Sequence, residues 1–262
     1  MKPFDIYHKN ISVDYDDQGK GTALVLLHGF LENKQLWNTL VADWQTKFRV
    51  ITIDLLGHGE TGCLGYVHSM EDQADLVHTV LTALKIKKAV FAGHSMGGYV
   101  ALAFAELFPS QVKGILLINS TSRADSDERK KNRDRAILAV KQNYKQFIRL
   151  SISNLFSEEN RERFATAIET VREQAMQTPL QGVVAALEGM KIRKDREVLL
   201  HFGAYPIHLV IGDQDPVLPI EQALDQLDGT TRTFNQLHGG HMSPIENEAA
   251  LRDIVLQFMK QV

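Results

Sequence analysis

The 262-residue sequence contains a single cysteine, Cys63, so no disulfide can form within the chain. It also lacks an excess of either charge, because 29 lysines and arginines oppose 32 acidic residues and the net charge is −3. Nucleic-acid-binding proteins are typically basic, so this balance argues against that class. No apolar run approaches the ~18 residues of a membrane span, and residues 1–10 lack the apolar segment of a secretory signal. We therefore expect a cytoplasmic protein without a membrane or nucleic-acid partner.

Metal-ligand patterns are also missing. No two histidines have the His-x-x-x-His spacing that places two ligands on one face of a helix. We therefore expect neither a metal nor a cofactor. Hydrophobic residues make up 44% of the sequence and charged residues 23%, which is the balance of an ordinary globular protein with a large core.

Short apolar runs alternate with segments of helical spacing. The expected buried strands are Ala23–Leu27, Arg49–Asp54, Ala89–Ala92, Val112–Ile118 and Pro206–Ile211. Continuous apolar runs of this length are typical of strands that are buried on both faces of a parallel sheet. Helices are expected between them at Lys34–Trp44 and Ser69–Leu84, and an earlier strand at Ile11–Tyr15 is followed by a turn at 16–21. This order predicts an α/β fold with a doubly wound, mostly parallel sheet.

The alternation stops between residues 121 and 201, where only helices are expected. These helices are Arg135–Leu150, Glu158–Met176 and Gln181–Met190. We interpret residues 121–201 as a helical insertion into a core formed by residues 1–120 and 202–262. The run of mixed charges from Asp125 to Arg135 is interpreted as the solvated face of an insertion helix.

The stretch Gly93-His94-Ser95-Met96-Gly97 lies between an apolar strand and an Ala/Leu/Phe-rich helix. This strand–turn–helix context, with Gly-x-Ser-x-Gly at the turn, is the nucleophile-elbow pattern. It would hold the hydroxyl of Ser95 clear of the sheet and place the N–H of Met96 at a helix N-terminus. A serine hydroxyl needs a neighbouring imidazole to accept its proton, and that imidazole needs a carboxylate.

Candidates for these two partners follow later strands. Asp213 and Asp215 follow the strand that ends near Ile211, and His238 and His241 follow the last strand. The order of serine, acid and histidine along the chain is the order expected for the nucleophile-elbow fold.

The motifs His28-Gly29-Phe30, 54–61, 93–98, 212–215 and Gly240-His241 together resemble the α/β-hydrolase superfamily, in particular its cap-bearing serine-hydrolase branch. The resemblance covers nearly the whole chain. It implies Ser95 as nucleophile, Asp215 rather than Asp213 as the acid, and His241 rather than His238 as the base. It also implies an oxyanion hole formed by the backbone N–H groups of Phe30 and Met96, with the ring of Phe30 at the pocket, and a cap formed by residues 121–201.

The implied function is a serine hydrolase that cleaves an ester, thioester or lactone of a small molecule through an acyl-enzyme. A serine at the elbow argues against dehalogenases and epoxide hydrolases of this fold, which use aspartate there. A carbon–carbon bond hydrolase, a lyase resembling the menaquinone-pathway synthase and a ligand receptor with little turnover stay open as alternatives. Apolar candidates for the substrate pocket in the insertion are Tyr144, Phe147 and Phe156, with Phe164 and Met190 as further ones. A helix that buries its own apolar stripe gives the same pattern, so our default interpretation of these five residues is core packing.

Overall fold

A computed structural model of the protein describes residues 4–262. Residues 1–3 lie outside the described residues. They begin both the predicted core range 1–120 and residues 1–10, in which no secretory signal is expected. A two-stranded antiparallel ribbon is formed by β1 (Ile6–His8) and β2 (Ile11–Val13). The strands of the main sheet are β3 (Tyr15–Gln18), β4 (Ala23–Leu27), β5 (Arg49–Ile53), β6 (Ala89–His94), β7 (Val112–Ile118), β8 (Ile207–Gly212) and β9 (Thr233–Leu237).

The main sheet has the order β3-β5-β4-β6-β7-β8-β9. All neighbouring pairs are parallel except β3 and β5. This architecture confirms the predicted α/β class with a mostly parallel sheet.

Both faces of the central strands β4, β6 and β7 are buried, as the continuous apolar runs predict, whereas the edge strand β9 is largely exposed. In β4, Leu24 and Leu26 pack into one apolar layer with Trp37 and Trp44. Val25 and Leu27 of the same strand lie in the opposite layer. Successive side chains of a strand point to opposite faces, so a strand between two helix layers must be apolar at every position.

The start of the sheet differs from the sequence prediction. The expected strand Ile11–Tyr15 is divided between β2 and β3, and Asp16–Gln18 continue as strand where a turn was expected. The carboxylates of Asp16 and Asp17 have cationic partners that are distant in sequence, so a local sequence pattern does not predict this strand. Arg49 Nη2 lies 2.6 Å from Asp17 Oδ2, and Lys34 Nζ lies 2.8 Å from Asp16 Oδ2.

Helices cover the two faces of the sheet. They are α1 (Asn38–Trp44), α2 (Met70–Ala83) and α3 (Met96–Leu107), with α9 (Ile220–Asp225), α10 (Ser243–Glu246) and α11 (Glu248–Met259) after β8. The predicted start of α2 is confirmed, because Ser69 Oγ accepts a hydrogen bond from the N–H of Asp72 at 3.0 Å. No helix among residues 4–262 combines the length and the apolar composition that crossing a membrane requires.

Between β7 and β8 the chain forms five helices in succession. They are α4 (Asp127–Gln142), α5 (Tyr144–Ser153), α6 (Ala165–Ala175), α7 (Leu180–Lys191) and α8 (Val198–Phe202). The helix predicted for Arg135–Leu150 is interrupted at Asn143, whose backbone leaves the helical region at φ −148°. The side chain of Asn143 accepts a hydrogen bond from the N–H of Gln146 at 3.1 Å and so begins α5. Asparagine caps helices readily, and this local bond prevents one long helix.

Candidate active site

Ser95 lies at the turn between the end of β6 and the start of α3. Its backbone has φ 49° and ψ −114°, a region that a residue with a side chain rarely adopts. The turn is tight enough that Gly97 has no room for a side chain. A Cβ there would overlap the carbonyl oxygen of Leu27 on the neighbouring strand. The sequence pattern therefore produces the elbow that it predicts.

The hydroxyl of Ser95 donates to Nε2 of His241 at 2.8 Å. Nδ1–H of His241 donates in turn to Oδ2 of Asp215 at 2.7 Å. Asp215 and His241 are 6% and 2% exposed, so this chain of hydrogen bonds is shielded from water except near Ser95. The three residues follow β6, β8 and β9, whose carboxyl ends meet at one edge of the sheet.

The competing candidates pair with each other instead. Nδ1 of His238 lies 3.1 Å from Oδ2 of Asp213. The side chain of His238 is 67% exposed, and its Nε2 lies 2.7 Å from Glu159. The structure thus brings together the residues that the family pattern selects and keeps Asp213 and His238 in a surface pair.

The carboxylate of Asp215 is held by backbone and side-chain donors. Oδ1 accepts from the N–H groups of Val217 and Leu218 at 2.8 and 2.9 Å, and Oδ2 accepts from Nδ2 of Asn119 at 3.0 Å. Burial raises the pKa of Asp215, but the charge of His241 and these hydrogen bonds outweigh it and hold the pKa below its usual value. Asp215 therefore remains an acceptor that keeps the proton of His241 on Nδ1 and leaves Nε2 free to accept from Ser95.

Sequence reasoning missed a buried ion pair beside this chain. Nδ1–H of His94 donates to Oε2 of Glu32 at 2.9 Å, and Nε2–H donates to the carbonyl oxygen of His241 at 2.8 Å. Both ring nitrogens therefore face oxygen acceptors, an arrangement that favours the cationic form of His94. Burial lowers the pKa of His94, but the charge of Glu32 outweighs burial and raises it overall. The pair joins the elbow to the loop that begins with His28 and to the backbone of His241.

The loop from His28 to Glu32 contains Phe30, one of the two residues whose N–H groups we expect to form an oxyanion hole. The N–H of Gly29 donates to Oε2 of Glu32 at 2.5 Å, and Nδ1–H of His28 donates to the carbonyl oxygen of Gly29 at 2.8 Å. Within the part of the chain that the structure describes, the N–H of Phe30 has no acceptor. Met96 is the first residue of α3, so its N–H has no acceptor within the helix. Both groups are available to a ligand.

A cavity of about 410 Å³ opens above Ser95 and His241. Apolar side chains in its wall are Phe30, Leu31, Tyr99, Leu155, Leu187 and Met190. Charged and polar side chains also reach it from α4, namely Arg129, Asn132 and Arg133. Among the described residues no group of three histidine, cysteine or carboxylate side chains is arranged to hold a metal ion.

Two of the pocket candidates, Phe30 and Met190, line this cavity. The other four candidates do not line it and follow the default interpretation as packing residues. The hydroxyl of Tyr144 donates to the carbonyl oxygens of Ala175 and Thr178, which fixes the ring between helices. Phe147 packs against the apolar core, and Phe156 is fully buried against Phe164. Their apolar character serves helix packing. The charged run from Asp125 to Arg135 is not simply a solvated helix face, as we expected. Asp125 is buried, and Arg129 and Arg133 of the run line the cavity.

Residues 22–248 match a family model described as alpha/beta hydrolase fold. The chain belongs to the alpha/beta hydrolase fold family. This membership confirms the resemblance on which the expected elbow, acid and base rest.

Known proteins that are similar to this chain include a lactonase and an esterase. The 3-oxoadipate enol-lactonase 1 of Acinetobacter baylyi is 24% identical over 255 residues, which cover 97% of this chain and 94% of that enzyme. A thermophilic esterase from Thermogutta terrifontis, solved with malate bound, is 29% identical with a TM-score of 0.93, over 100% of this chain and 99% of that chain. These relatives support a hydrolase.

Another similar protein, an uncharacterized protein of Mycobacterium tuberculosis, is 36% identical over 102 residues. These residues are 39% of this chain and 30% of that protein. The chain thus matches less than a third of this relative's length.

Proposed function

We propose that the protein is a serine hydrolase that cleaves an ester, thioester or lactone of a small molecule through an acyl-enzyme. The observation that carries this proposal is the hydrogen-bonded chain from Ser95 through His241 to Asp215, which ends at the floor of a cavity. The cavity of about 410 Å³ suits a small organic molecule.

In the proposed reaction, His241 Nε2 accepts the proton of Ser95 while Oγ forms a bond to the carbonyl carbon of the substrate. The N–H groups of Phe30 and Met96 stabilise the resulting oxyanion. The proton on Nε2 then passes to the leaving oxygen or sulfur as its bond to the carbonyl carbon breaks. His241 Nε2 then accepts a proton from a water molecule, whose oxygen forms a bond to the acyl carbon. That proton passes from Nε2 to Ser95 Oγ as the bond between Oγ and the acyl carbon breaks, which releases the acid and restores the free serine. Asp215 compensates the charge of His241 in both halves of the reaction.

We also infer that residues 121–201 act as a cap that selects the substrate. This inference is supported by the side chains that α4, α5 and α7 contribute to the cavity, namely Arg129, Ser151 and Leu187. Substrate choice would then lie mainly in the helices between β7 and β8, while the proposed catalytic residues lie in the core.

The experiment is hydrolysis of p-nitrophenyl esters from acetate to dodecanoate by the wild type, Ser95→Ala and Ser151→Ala. Ser151 is a matched control, because it is a second serine in the cavity wall without a histidine partner. We expect turnover that peaks at one acyl length, vanishes in Ser95→Ala and persists in Ser151→Ala. A fluorophosphonate probe should label Ser95 alone, as read by peptide mass spectrometry.

Two results would contradict the proposed function. Equal turnover by the wild type and Ser95→Ala would exclude Ser95 as the nucleophile. Labelling of Ser95 without turnover of any ester, thioester or lactone would redirect the search to a lyase, a carbon–carbon bond hydrolase or a ligand receptor.

A further inference from the structure

One face of α4 forms a wall of the cavity above Ser95. Arg129, Asn132, Arg133 and Ala136 all line it, and these positions have the three- and four-residue spacing of one helix face. Two of the four side chains are guanidinium ions. The catalytic steps proposed above assign no task to these cations.

Both arginines are oriented by one buried carboxylate. Oδ1 of Asp125 lies 3.3 Å from Nε of Arg129, and Oδ2 lies 2.7 Å from Nε of Arg133. A third guanidinium approaches from the end of α7, with Nη1 of Arg193 2.5 Å from Oδ1. Burial raises the pKa of Asp125, but the charges of Arg133 and Arg193 outweigh it and lower the pKa overall, so the group is ionised. One negative charge therefore faces three positive charges.

Other arginines in the same part of the chain have the opposite balance. Arg123 is bound by Glu197 and Asp225, and Arg196 is bound by Glu71 and Glu106. Each of these two cations has two carboxylate partners. If the arginines around Asp125 had a purely structural role, we would expect a similar number of carboxylates there. The uncompensated positive charge around Asp125 instead lies at the cavity.

The arginines also keep hydrogen-bond donors for a ligand. Within residues 4–262, neither Nη1 nor Nη2 of Arg133 has an acceptor, and Arg129 uses only Nη1, which donates to the carbonyl oxygen of Val217 at 3.2 Å. Arg193, in contrast, is enclosed by backbone carbonyls and the ring of Tyr99. Glu32, a carboxylate that does line the cavity, is already compensated by His94. An anion that enters the cavity thus meets free donors on α4.

We propose that the substrate carries a carboxylate, which Arg133 and Arg129 bind through their Nη groups while its ester or lactone carbonyl lies over Ser95. This proposal rests on the proposed hydrolase function and adds the chemical class of the substrate. The planar fork of a guanidinium matches the two oxygens of a carboxylate. Asp125 contacts both guanidinium groups at Nε, which leaves both Nη groups of Arg133 and Nη2 of Arg129 without an acceptor among residues 4–262. The cavity volume of about 410 Å³ favours a compact substrate.

The test compares two esters that differ in one charge, mono-p-nitrophenyl glutarate and its methyl ester. We expect the wild type to have at least a tenfold higher kcat/KM for the anionic ester. Arg133→Gln should lower kcat/KM for the anionic ester by about 10- to 100-fold, the scale of a hydrogen bond to a charged group, and leave the methyl ester within about threefold. Lys131→Gln is the matched control, because it removes one positive charge from an exposed position of the same helix. It should change neither ester.

The outcomes separate this proposal from the proposed function. Equal kcat/KM for both esters in the wild type, or an equal decrease for both in Arg133→Gln, overturns carboxylate recognition. In either case, loss of hydrolysis of both esters in Ser95→Ala still supports the proposed hydrolase function. If Arg133→Gln does not fold, inhibition of the wild type decides. Glutarate should inhibit methyl-ester hydrolysis competitively and glutaramide should not, and equal inhibition by the two overturns the proposal. Hydrolysis that Ser95→Ala retains would contradict the function itself.

Discussion

Two carboxylates that are two positions apart, Asp213 and Asp215, have different surroundings. Asp213 pairs with the exposed His238, whereas Asp215 is buried, accepts two backbone N–H groups and receives Nδ1–H of His241. The carboxylate with the fixed geometry is the one that can control a histidine tautomer. The burial of a carboxylate therefore identifies the acid better than its position in the sequence does.

We expect Asp215→Asn to lower kcat by about 10³- to 10⁴-fold, because an amide no longer compensates the charged imidazole or selects its tautomer. Asp213→Asn is the matched control at the same loop and should retain activity within about threefold. Both values come from initial rates on the preferred p-nitrophenyl ester, with circular dichroism to verify folding. The reverse ranking would assign the acid to Asp213.

Two of the proposed catalytic residues could be named as candidates from local motifs, because Ser95 lies at the elbow and His241 follows two glycines. Asn119, Glu32 and the two cavity arginines could not be named in this way, because their roles come from tertiary contacts. Asn119 directly follows a predicted strand, which is a usable signal, but nothing in the sequence shows that its amide reaches Asp215. The choice between Asp213 and Asp215 likewise needed the family pattern.

Helix α7 packs tightly against the backbone of the segment that precedes α2. Gly189 lies against the backbone of His68, and a Cβ at Gly189 would overlap the carbonyl oxygen of His68. The N–H of His68 also donates to the carbonyl oxygen of Ala185 at 2.9 Å. Leu187 and Met190 extend from the same helix into the cavity, so the position of the helix sets part of the cavity wall.

Gly189→Ala should force α7 outward and lower stability by about 1–3 kcal/mol, the usual cost of overpacking. For a protein of this size that corresponds to a Tm decrease of roughly 2–4 °C per kcal/mol, measured by calorimetry. Gly62→Ala is the control, because its added Cβ would meet only the side-chain Cγ2 of Ile11 at 3.1 Å. An unchanged Tm in Gly189→Ala would show that the helix adjusts without cost.

Element positions were predicted best where the pattern was apolar and continuous, as in β4, β5 and β7. They were predicted least well where polar side chains decide the outcome. Asn143 divides one expected helix into α4 and α5 by capping, and Asp16–Asp17 remain in a strand because Lys34 and Arg49 neutralise them. Such pairings join residues that are distant in sequence, so a periodic pattern does not contain them.

At the scale of the whole molecule, the buried pair of Glu32 and His94 links stability to pH. Burial raises the pKa of Glu32, but the charge of His94 outweighs it and lowers the pKa overall from its usual value of 4.5. The contribution of Glu32 is therefore present above pH 4.5 and is lost as pH falls through the lowered pKa. The pKa of His94 is raised from 6.5, so its contribution is present below pH 6.5 and is lost as pH rises through the raised pKa.

We expect the Tm difference between the wild type and Glu32→Gln to be largest between about pH 4.5 and 6.5 and to narrow on both sides. The measurement is a series of thermal unfolding scans from pH 4 to pH 9 in buffers of constant ionic strength. Asp213→Asn serves as the control for a surface carboxylate. A difference that is constant across this range would mean that the pair is a neutral hydrogen bond.

The long segment between β7 and β8 leaves and re-enters the sheet on adjacent strands, where Ile118 lies opposite Val210. The free-energy cost of closing such a loop grows only logarithmically with its length. Insertions and deletions in this segment should therefore disturb little the strand ends that hold Ser95, Asp215 and His241. Under the proposed function, a change of substrate would require changes in one continuous stretch of the gene, and the proposed catalytic residues would stay in place.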